Sequence, residues 1–285
     1  MVGPGMGAFA VVWEVVESGL MDLMPLVFQV GDRVTGWGEI RNDDDGVWFM
    51  PVRAVGLMFR ADGRPPPRPA DAVRLLHHEP SGVAIDFGDD GSIPGWAGIT
   101  GIWLGGVIDV LAQTPVPPAS ARRTFGPRWI TPPGPKPICG WPPGSADDLY
   151  EVDTQALRED ENCVSAIVYR PHENSAVMVV AATDVDEAES LWRPVLGRRL
   201  QIVQSRWSTP QLTALGDELA VHWNEWAIGL VSQVVDEHSQ TRVEAIMLRV
   251  VPSTAAWARA VPDGILQIHP TLRPATRPAG LSQNP

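Results

Sequence analysis

The spacing of apolar and polar positions predicts two kinds of structure on either side of a proline-rich stretch. Before it, short apolar runs alternate with turn residues about every 8–12 positions, as in small β-barrels. After it, strand-like and helix-like runs alternate. We therefore predict an α+β protein with a small OB-like β-barrel at residues 1–112, a proline-rich extended segment at 113–148, a mixed α/β sandwich at 149–272 and a mobile tail at 273–285.

Two β-hairpins are the clearest elements of the first half. Strand-like runs at Arg33–Arg41 and Val47–Val55 flank the turn Asn42–Gly46, whose Asn, Asp and Gly residues tolerate the positive φ angles of tight turns. The three aspartates of this turn lack the remaining ligands of a calcium loop, so a turn is favoured over a metal site. A second hairpin is predicted from Gly98–Leu104 and Val107–Leu111, which two glycines join.

Weaker patterns complete the first half. Pro25–Val30 and Val83–Phe87 are predicted as strands, and Ala70–His78 as a short helix. His77 and His78 suit the carbonyl-rich end of that helix. Because adjacent residues point in different directions, the two histidines do not indicate a shared metal ion.

The pattern of the second half predicts the order β-β-α-β-α-β-β-α-β, with helices packed on one mixed sheet. The predicted strands are Val164–Arg170, Ala176–Thr183, Arg199–Trp207, Ile228–Val235, Thr241–Val251 and Ile265–His269. Two helices begin at capping boxes, one formed by Asp184 with Glu187 and the other by Ser208 with Gln211. A third, short helix is predicted at Ser253–Ala260.

The charge of the chain disfavours nucleic acid as a partner. The net charge is −12, divided as −8 over residues 1–112, +2 over 113–148 and −6 over 149–285. Either half would repel a phosphate backbone unless its arginines gathered on one face. The N-terminus lacks the basic start of a secretory signal, and we find no apolar run long enough to span a membrane. We therefore expect a cytoplasmic protein without a membrane contact.

Five tryptophans in the first half allow two interpretations. They are Trp13, Trp37, Trp48, Trp96 and Trp103. On an exposed face they could stack on bases or sugar rings, whereas in a small barrel they could fill the core. Core packing is favoured because few arginines accompany them. Trp37 and Trp48 remain candidate binding residues, since they flank the acidic turn and could pair across it.

Sequence templates for catalysis, cofactors and metals find no match. The chain has no GxSxG, GxxxxGK[ST], HExxH or CxxC motif, so we predict no cofactor, no metal and no catalytic residue. Its two cysteines, Cys139 and Cys163, are expected to be reduced thiols, with Cys163 in a core.

Three polar residues of the second half are candidates for a small-ligand site. Glu218 and His222 are one helical turn apart and could form an acid–base pair, although a solvated polar pair is favoured. Arg206 precedes a helix start and could help to bind an anion at the free amides there. An arginine at the end of a strand is more often a surface charge.

The proline-rich segment is a candidate docking strip. Residues 113–146 hold ten prolines, four basic residues and no acidic residue. We expect the segment to lie extended along the acidic domains, because proline-rich chain is pre-extended and loses less entropy when it is ordered. Arg128, Trp129 and Trp141 are its candidate residues for contact with a protein partner. The oligomeric state stays open.

Short motifs in both halves resemble those of a known family. They are Gly36–Arg41, Thr100–Trp103, Val179–Asp184, Ser205–Ser208 and Pro262–Leu266. They are similar to a family of uncharacterised two-domain proteins from high-GC actinobacteria. The resemblance would cover most of the chain and implies a two-domain architecture, but it implies no activity.

Three functions are compatible with these patterns. The first is a non-catalytic binding or assembly module that acts through protein–protein contacts, and it is the one that we favour. The second is an OB-type binder of single-stranded nucleic acid or oligosaccharide, which predicts exposed tryptophans beside an arginine groove. The third is an enzyme with a site between the domains, which predicts that Arg206, Glu218 and His222 converge in one deep pocket.

Overall fold

The protein combines helices with three β-sheets. The computed structural model describes residues 22–50, 71–79, 84–85, 95–115, 141–150, 154–172, 174–236 and 238–275. Within these ranges one sheet has seven strands and the other two have three strands each. No helix in this described part is long and apolar enough to cross a membrane.

The elements follow one another with these bounds. The strands are β1 Arg33–Asp43, β2 Gly46–Met50, β3 Val73–Leu76, β4 Ala84–Ile85, β5 Gly95–Trp103, β6 Val107–Pro115, β7 Cys163–His172, β8 Ser175–Ala182, β9 Leu200–Gln204, β10 Ile228–Val235, β11 Thr241–Met247, β12 Leu266–Pro270 and β13 Leu272–Pro274. The α-helices are α1 Asp147–Tyr150, α2 Thr154–Glu159, α3 Val185–Leu196, α4 Thr209–Val221 and α5 Pro252–Ala258. Short 3₁₀ helices lie at Met24–Leu26 and Gly197–Arg199.

The strands of the first sheet are ordered β13-β1-β2-β3-β6-β5-β4. Strand β1 also pairs with β5, so the pairings run from β1 through β2, β3, β6 and β5 back to β1. Every pairing in this circuit is antiparallel except that between β3 and β6. Alternate residues of each strand point inward, and the buried set includes Val34, Ile40, Phe49, Ile99 and Ile108.

Both predicted hairpins are confirmed. In the first, the Asp43 carboxylate accepts hydrogen bonds from the Asp45 amide at 3.0 Å and from the Trp48 indole at 2.9 Å, which explains the acidic turn without a metal. In the second, Gly105 and Gly106 have φ angles of 81° and 104°. Such angles favour glycine in a tight two-residue hairpin turn.

Two local predictions in the first half are wrong. The predicted helix Ala70–His78 contains strand β3, because pairing with β2 and with β6 outweighs the weak helical preference of this short run. In the predicted strand Pro25–Val30, only Val27 forms a β-bridge, to Val250.

The predicted order of elements in the second half is confirmed from β7 to β12, but α1, α2 and β13 were not predicted and the strands do not form a single sheet. Strands β7-β8-β9 form one sheet and β10-β11-β12 another. In each sheet the first two strands are antiparallel, and a helix leads to a third strand parallel to the second. We call β7-β8-α3-β9 the first unit and β10-β11-α5-β12 the second unit.

The two units are structural repeats of each other. Their first strands begin 65 residues apart, at 163 and 228, and their second strands end 65 residues apart, at 182 and 247. The same backbone hydrogen bond closes both, from Thr183 to the Asn162 carbonyl at 3.0 Å and from Leu248 to the Ala227 carbonyl at 2.9 Å. Both parallel strands contain the sequence Leu-Gln-Ile, at 200–202 and 266–268.

Helix capping in the second half follows the prediction closely. The Asp184 side chain accepts from the Glu187 amide at the start of α3, and Ser208 with Gln211 forms a capping box at the start of α4. The sequence pattern places Val185, Ala188, Leu191, Trp192 and Val195 on one apolar face of α3, but Leu191 and Val195 are 52% and 61% exposed. Its buried residues are Ala188, Trp192 and Leu196.

Contacts cross the predicted boundary between the two halves. Strand β13, from the end of the chain, pairs with β1 of the first sheet. In the other direction, Leu23 belongs to the core of the second unit. The division into residues 1–112 and 149–272 therefore stays a prediction. The predicted tail begins too early, since Arg273 and Pro274 lie in β13.

The predicted proline-rich segment begins too early, since Gln113 to Pro115 lie in β6, and its described C-terminal end lies along the first unit. Trp141 packs on Tyr169 with ring centroids 6.2 Å apart, and the Pro142 carbonyl accepts a 2.7 Å hydrogen bond from Ser175. Residues 116–140, with the docking candidates Arg128 and Trp129, lie outside the described part of the chain.

Candidate binding cleft

A cleft of about 660 Å³ lies between the first sheet and the second unit. This volume is in the usual range for small-ligand sites, about 300–1,000 Å³. Asp71 to Val73, Trp103 and the glycine turn of the second hairpin line one side. The other side is lined by residues 223–228, before and at the start of β10, and by Leu248, Arg249 and Val251 after β11.

Backbone hydrogen bonds hold the wall at 223–228 in place. After α4, the Trp226 amide donates to the His222 carbonyl at 2.9 Å, and the Ile228 amide donates to the Trp223 carbonyl at 2.9 Å. Ala227 has a φ of 47°, which is unfavourable for a residue with a Cβ. This turn is then joined to the residues after β11 by the repeated hydrogen bond described above.

Three tryptophans line the cleft, but only Trp223 exposes an appreciable part of its ring. Trp103 and Trp226 are buried, whereas Trp223 is 36% exposed. Trp103 packs edge-on against Phe28, with ring centroids 5.6 Å apart and planes at 80°. Large rigid aromatic surfaces of this kind bind ligands at a low cost in conformational entropy.

Arg249 is the cation of the cleft. Its guanidinium carbon lies 5.2 Å from the Trp103 ring centroid and 5.8 Å from that of Phe28, within cation–π range. Burial lowers the pKa of the Arg249 side chain, although an arginine remains charged at neutral pH. Among the described residues, no carboxylate forms an ion pair with it.

Glu225 supplies a negative charge at the edge of the cleft. It lies 3.0 Å from His222 Nδ1 and 3.5 Å from Ser253 Oγ. The hydrogen bond with His222 is the main cause that lowers the pKa of the Glu225 carboxyl. Because the carboxylate stands between the serine and the histidine, the histidine does not receive the serine proton as it does in a hydrolase triad.

His222 does not form the predicted pair with Glu218. Its ring stacks on Trp226 with centroids 4.1 Å apart and planes at 10°, and its Nδ1 faces Glu225. Glu218 instead accepts a 2.6 Å hydrogen bond from the Trp257 indole. The structure therefore places these two residues with separate partners.

Arg206 lies outside the cleft. Its guanidinium donates to the Asp263 carbonyl at 3.4 Å and stands 5.4 Å from the Trp207 ring centroid. The capping box at Ser208 already occupies amides at the start of α4, where an anion had been considered. Arg206, Glu218 and His222 thus do not converge in one pocket.

Three of the tryptophans assigned to a core lie on the outer face of the first sheet. Trp103 is in the core as predicted, whereas Trp37, Trp48 and Trp96 are half-buried on the opposite face. Trp37 and Trp48 do not form the cross-strand pair that the sequence suggested. Trp37 lies beside Trp96 at 6.1 Å. Trp48 stands opposite Arg41 on one neighbouring strand and Arg74 on the other.

Cys163 carries a free thiol, as expected. Burial, with a smaller contribution from Asp160, raises the pKa of this thiol to about 11. It is therefore protonated and unreactive at neutral pH. No group of three or more His, Cys, Asp or Glu residues in the described part of the chain could hold a metal ion.

The sequence analysis missed Arg249, and the internal repeat was the signal that could have identified it. Counting 65 residues back from Arg249 leads to Asp184, which caps α3 in the first unit. In the second unit the helix begins later, with Val251 as its N-cap. Arg249 therefore does not cap a helix, as Asp184 does, and it lines the cleft instead.

Comparisons with known proteins identify no relative. The chain matches no protein-family model, and the search of the curated proteins gives no match either.

Proposed function

We propose that the protein is a non-catalytic binding module whose ligand enters the cleft between the first sheet and the second unit. The observation that carries the proposal is the joint presence, in one cleft of about 660 Å³, of the exposed surface of Trp223 and of Arg249, which has no carboxylate partner among the described residues. Such a site offers both apolar area and one charge, the usual composition of a ligand pocket.

Binding is favoured over catalysis by the arrangement of the polar groups. The nearest candidate for acid–base chemistry is His222, whose Nδ1 faces Glu225 while its ring stacks on Trp226. His222 Nε2 remains available to a proton, but a nucleophile must be within hydrogen-bond reach of that base, and no described residue is placed there. Ser253 instead contacts the carboxylate.

A protein is the partner that we propose for this cleft. The proline-rich segment ends against the first unit at Trp141, and its remaining residues could contribute a second contact with the same partner. We also propose a cytoplasmic location, which fits the free thiol of Cys163 because thiols stay reduced there. The resemblance to the two-domain actinobacterial family belongs to the same proposal and assigns no activity.

Occupancy of the cleft can be tested with a neutral flat dye, 6-propionyl-2-dimethylaminonaphthalene, which becomes more fluorescent in apolar sites. We expect saturable binding to the wild-type protein and its loss in Ala72→Trp, because a large ring at this lining position fills the cleft. Ala256→Trp, at an exposed position on α5, is the matched control and should bind the dye normally. Equal binding by both variants would refute the proposed site.

The nature of the partner can be tested by placing a photo-cross-linking amino acid at position 72 or at position 256 in the native host. We expect a discrete protein adduct from position 72 and none from position 256. Adducts of equal yield from both positions would count against a protein partner in the cleft.

A second candidate is suggested by the outer face of the first sheet. We propose that its closed circuit of pairings is an OB-like barrel, and the row Arg41–Trp48–Arg74 beside Trp37 and Trp96 suits stacking on a single-stranded nucleic acid or an oligosaccharide. Glu39, which is buried and pairs with Arg41 at 3.0 Å, weakens the attraction for phosphate. Fluorescence anisotropy with oligothymidylate should show binding that Trp48→Ala removes if this candidate is correct.

A further inference from the structure

We infer that the cleft recognises an aromatic side chain next to a single carboxylate, presented by a segment of a partner protein. The inference rests on the proposed binding function and specifies the chemistry of its ligand. The aromatic part would lie against Trp223, the exposed tryptophan of the cleft, and the carboxylate would pair with Arg249.

The case for a carboxylate begins with Arg249 itself. A half-buried guanidinium has lost part of its hydration, and burial accordingly lowers the pKa of this side chain. The rings of Phe28 and Trp103 stabilise its cation only in part. A ligand carboxylate would supply the charge-assisted hydrogen bonds that no described carboxylate provides.

Arg249 packs on the Phe28 and Trp103 rings but has no capping or ion-pair role among the described residues. The equivalent residue of the first unit, Asp184, accepts from the Glu187 amide and bonds with Asn162 through its backbone. Arg249 stands at the same distance after its strand, but its side chain makes no hydrogen bond or ion pair within the described part of the chain. Its guanidinium N–H groups are therefore open to a ligand.

The neighbouring charges favour a monoanion over a dianion. Asp71 and Glu225 line the same cleft as Arg249, and the pKa of Glu225 is lowered mainly by the hydrogen bond with His222. Two carboxylates in the cleft disfavour a phosphate with two charges more strongly than a singly charged group that pairs with the arginine. A carboxylate therefore fits better than a phosphate monoester.

The apolar residues of the cleft favour an aromatic ring next to the ligand's carboxylate. Trp103, Trp223 and Leu248 line the same cleft as Arg249, and Gly105 and Gly106 leave room beside them, since no side chain projects from the hairpin turn. A ring can stack on such walls at offset or edge-on geometry. An aromatic residue adjacent to a carboxylate places both groups within one short ligand.

Ligand-observed NMR titrations with four small probes test this chemistry. The probes are N-acetylphenylalanine, with the carboxylate of a chain end; N-acetyl-Phe-Asp-amide, with a side-chain carboxylate; N-acetylphenylalaninamide, without charge; and N-acetyl-phosphotyrosine amide, with a phosphate. We expect at least one carboxylate to bind about tenfold more tightly than the neutral amide, as a charge-assisted hydrogen bond predicts. Whichever carboxylate binds better identifies a chain end or an internal acidic residue as the source.

Variants connect this preference to Arg249. The difference between carboxylate and amide should disappear in Arg249→Met, which keeps an apolar stem against the two rings, and persist in Arg206→Gln, the matched loss of an arginine outside the cleft. Unchanged melting temperatures establish that both variants are folded, and Arg249→Lys should retain part of the preference if Arg249→Met is unstable.

The outcomes separate this inference from the proposed function. If all probes bind equally, or if the preference survives in Arg249→Met, the inference is wrong while the cleft remains a binding site. Tighter binding of the phosphate than of either carboxylate would also overturn it. If neither the probes nor the neutral dye bind the wild-type protein, the proposed function itself is wrong.

Discussion

The first and second units share a chain path but differ at the loop that follows the second strand. In the first unit, the Asn162 side chain accepts from Thr183 Oγ1 at 2.7 Å and from the Asp184 amide, and donates to the Asp184 carbonyl at 2.7 Å. In the second unit, Ala227 occupies the equivalent place and has no side chain to make these bonds.

On the proposed function, this difference would let one scaffold serve two purposes. In the first unit the asparagine side chain bridges the two loops, and the helix begins three residues after the end of β8. Where an alanine stands, the backbone hydrogen bond is kept, but the space beside it belongs to the cleft and the helix starts later. On the proposed function, stability depends on the first unit and ligand access on the second.

The largest loss of folding stability is expected at Asn162, which bridges the loops of the first unit. Asn162→Ala removes three side-chain hydrogen bonds at a buried site and leaves polar partners unsatisfied, so it should lower the free energy of unfolding by about 3 kcal/mol. Urea denaturation measures this value. A loss below about 1 kcal/mol would mean that the asparagine does not hold the first unit together.

The next comparison concerns the tryptophan that each unit carries in its helix. Trp192 is buried and donates to Asp160 at 2.9 Å, whereas Trp257 is half-buried and donates to Glu218 at 2.6 Å. Trp192→Phe should cost about 2 kcal/mol and Trp257→Phe less than about 1 kcal/mol. Thermal unfolding of the two variants tests the order, and the reverse order would contradict the assignment of a structural role to the first unit.

Smaller changes in the free energy of unfolding are expected at Asp184 and Arg249, and the two residues should differ from each other. Asp184→Ala removes an N-cap and should cost about 1 kcal/mol. Arg249→Met removes a partly desolvated charge without a paired carboxylate and should change the free energy of unfolding by less than about 0.5 kcal/mol. Chemical denaturation at neutral pH compares them. A large loss in Arg249→Met would show that the arginine serves folding.

The smallest expected effect is a pH-dependent contribution of the Cys163 thiol, at the position that Ile228 holds in the second unit. Burial raises the pKa of the Cys163 thiol from 9.0 to about 11, so it favours the protonated form in the folded state. Its contribution to stability is complete below pH 9 and declines as the pH rises through 11. In a Cys139→Ser background, we expect slow reaction with a thiol reagent at pH 8 and faster reaction above pH 10. Rapid labelling at pH 8 would contradict this.

Local signals explain what could be predicted from the sequence. The capping box at Ser208 and Gln211 and the glycine turn at Gly105 involve residues within a few positions of one another, so their patterns can be recognised without the fold. The order of strands and helices after the proline-rich segment follows for the same reason.

Features that depend on distant contacts could not be predicted in this way. Strand β3 exists because two other strands pair with it, and β13 joins a sheet whose other strands lie more than 150 residues earlier. Arg249 has no motif of its own, and its place in a cleft is set by Phe28 and Trp103 from the opposite half. Only the 65-residue repeat connects it to a position with a recognisable role.

The most direct test of the account is the NMR spectrum of the tryptophan indole N–H groups, assigned by Trp→Phe substitutions, during titration with N-acetylphenylalanine. We predict that the signals of Trp103 and Trp223 in the cleft shift, while those of Trp192 in the first unit and Trp37 on the outer face stay in place. Shifts at Trp37 with none at Trp103 or Trp223 would contradict the account and would favour the outer face of the first sheet as the binding surface.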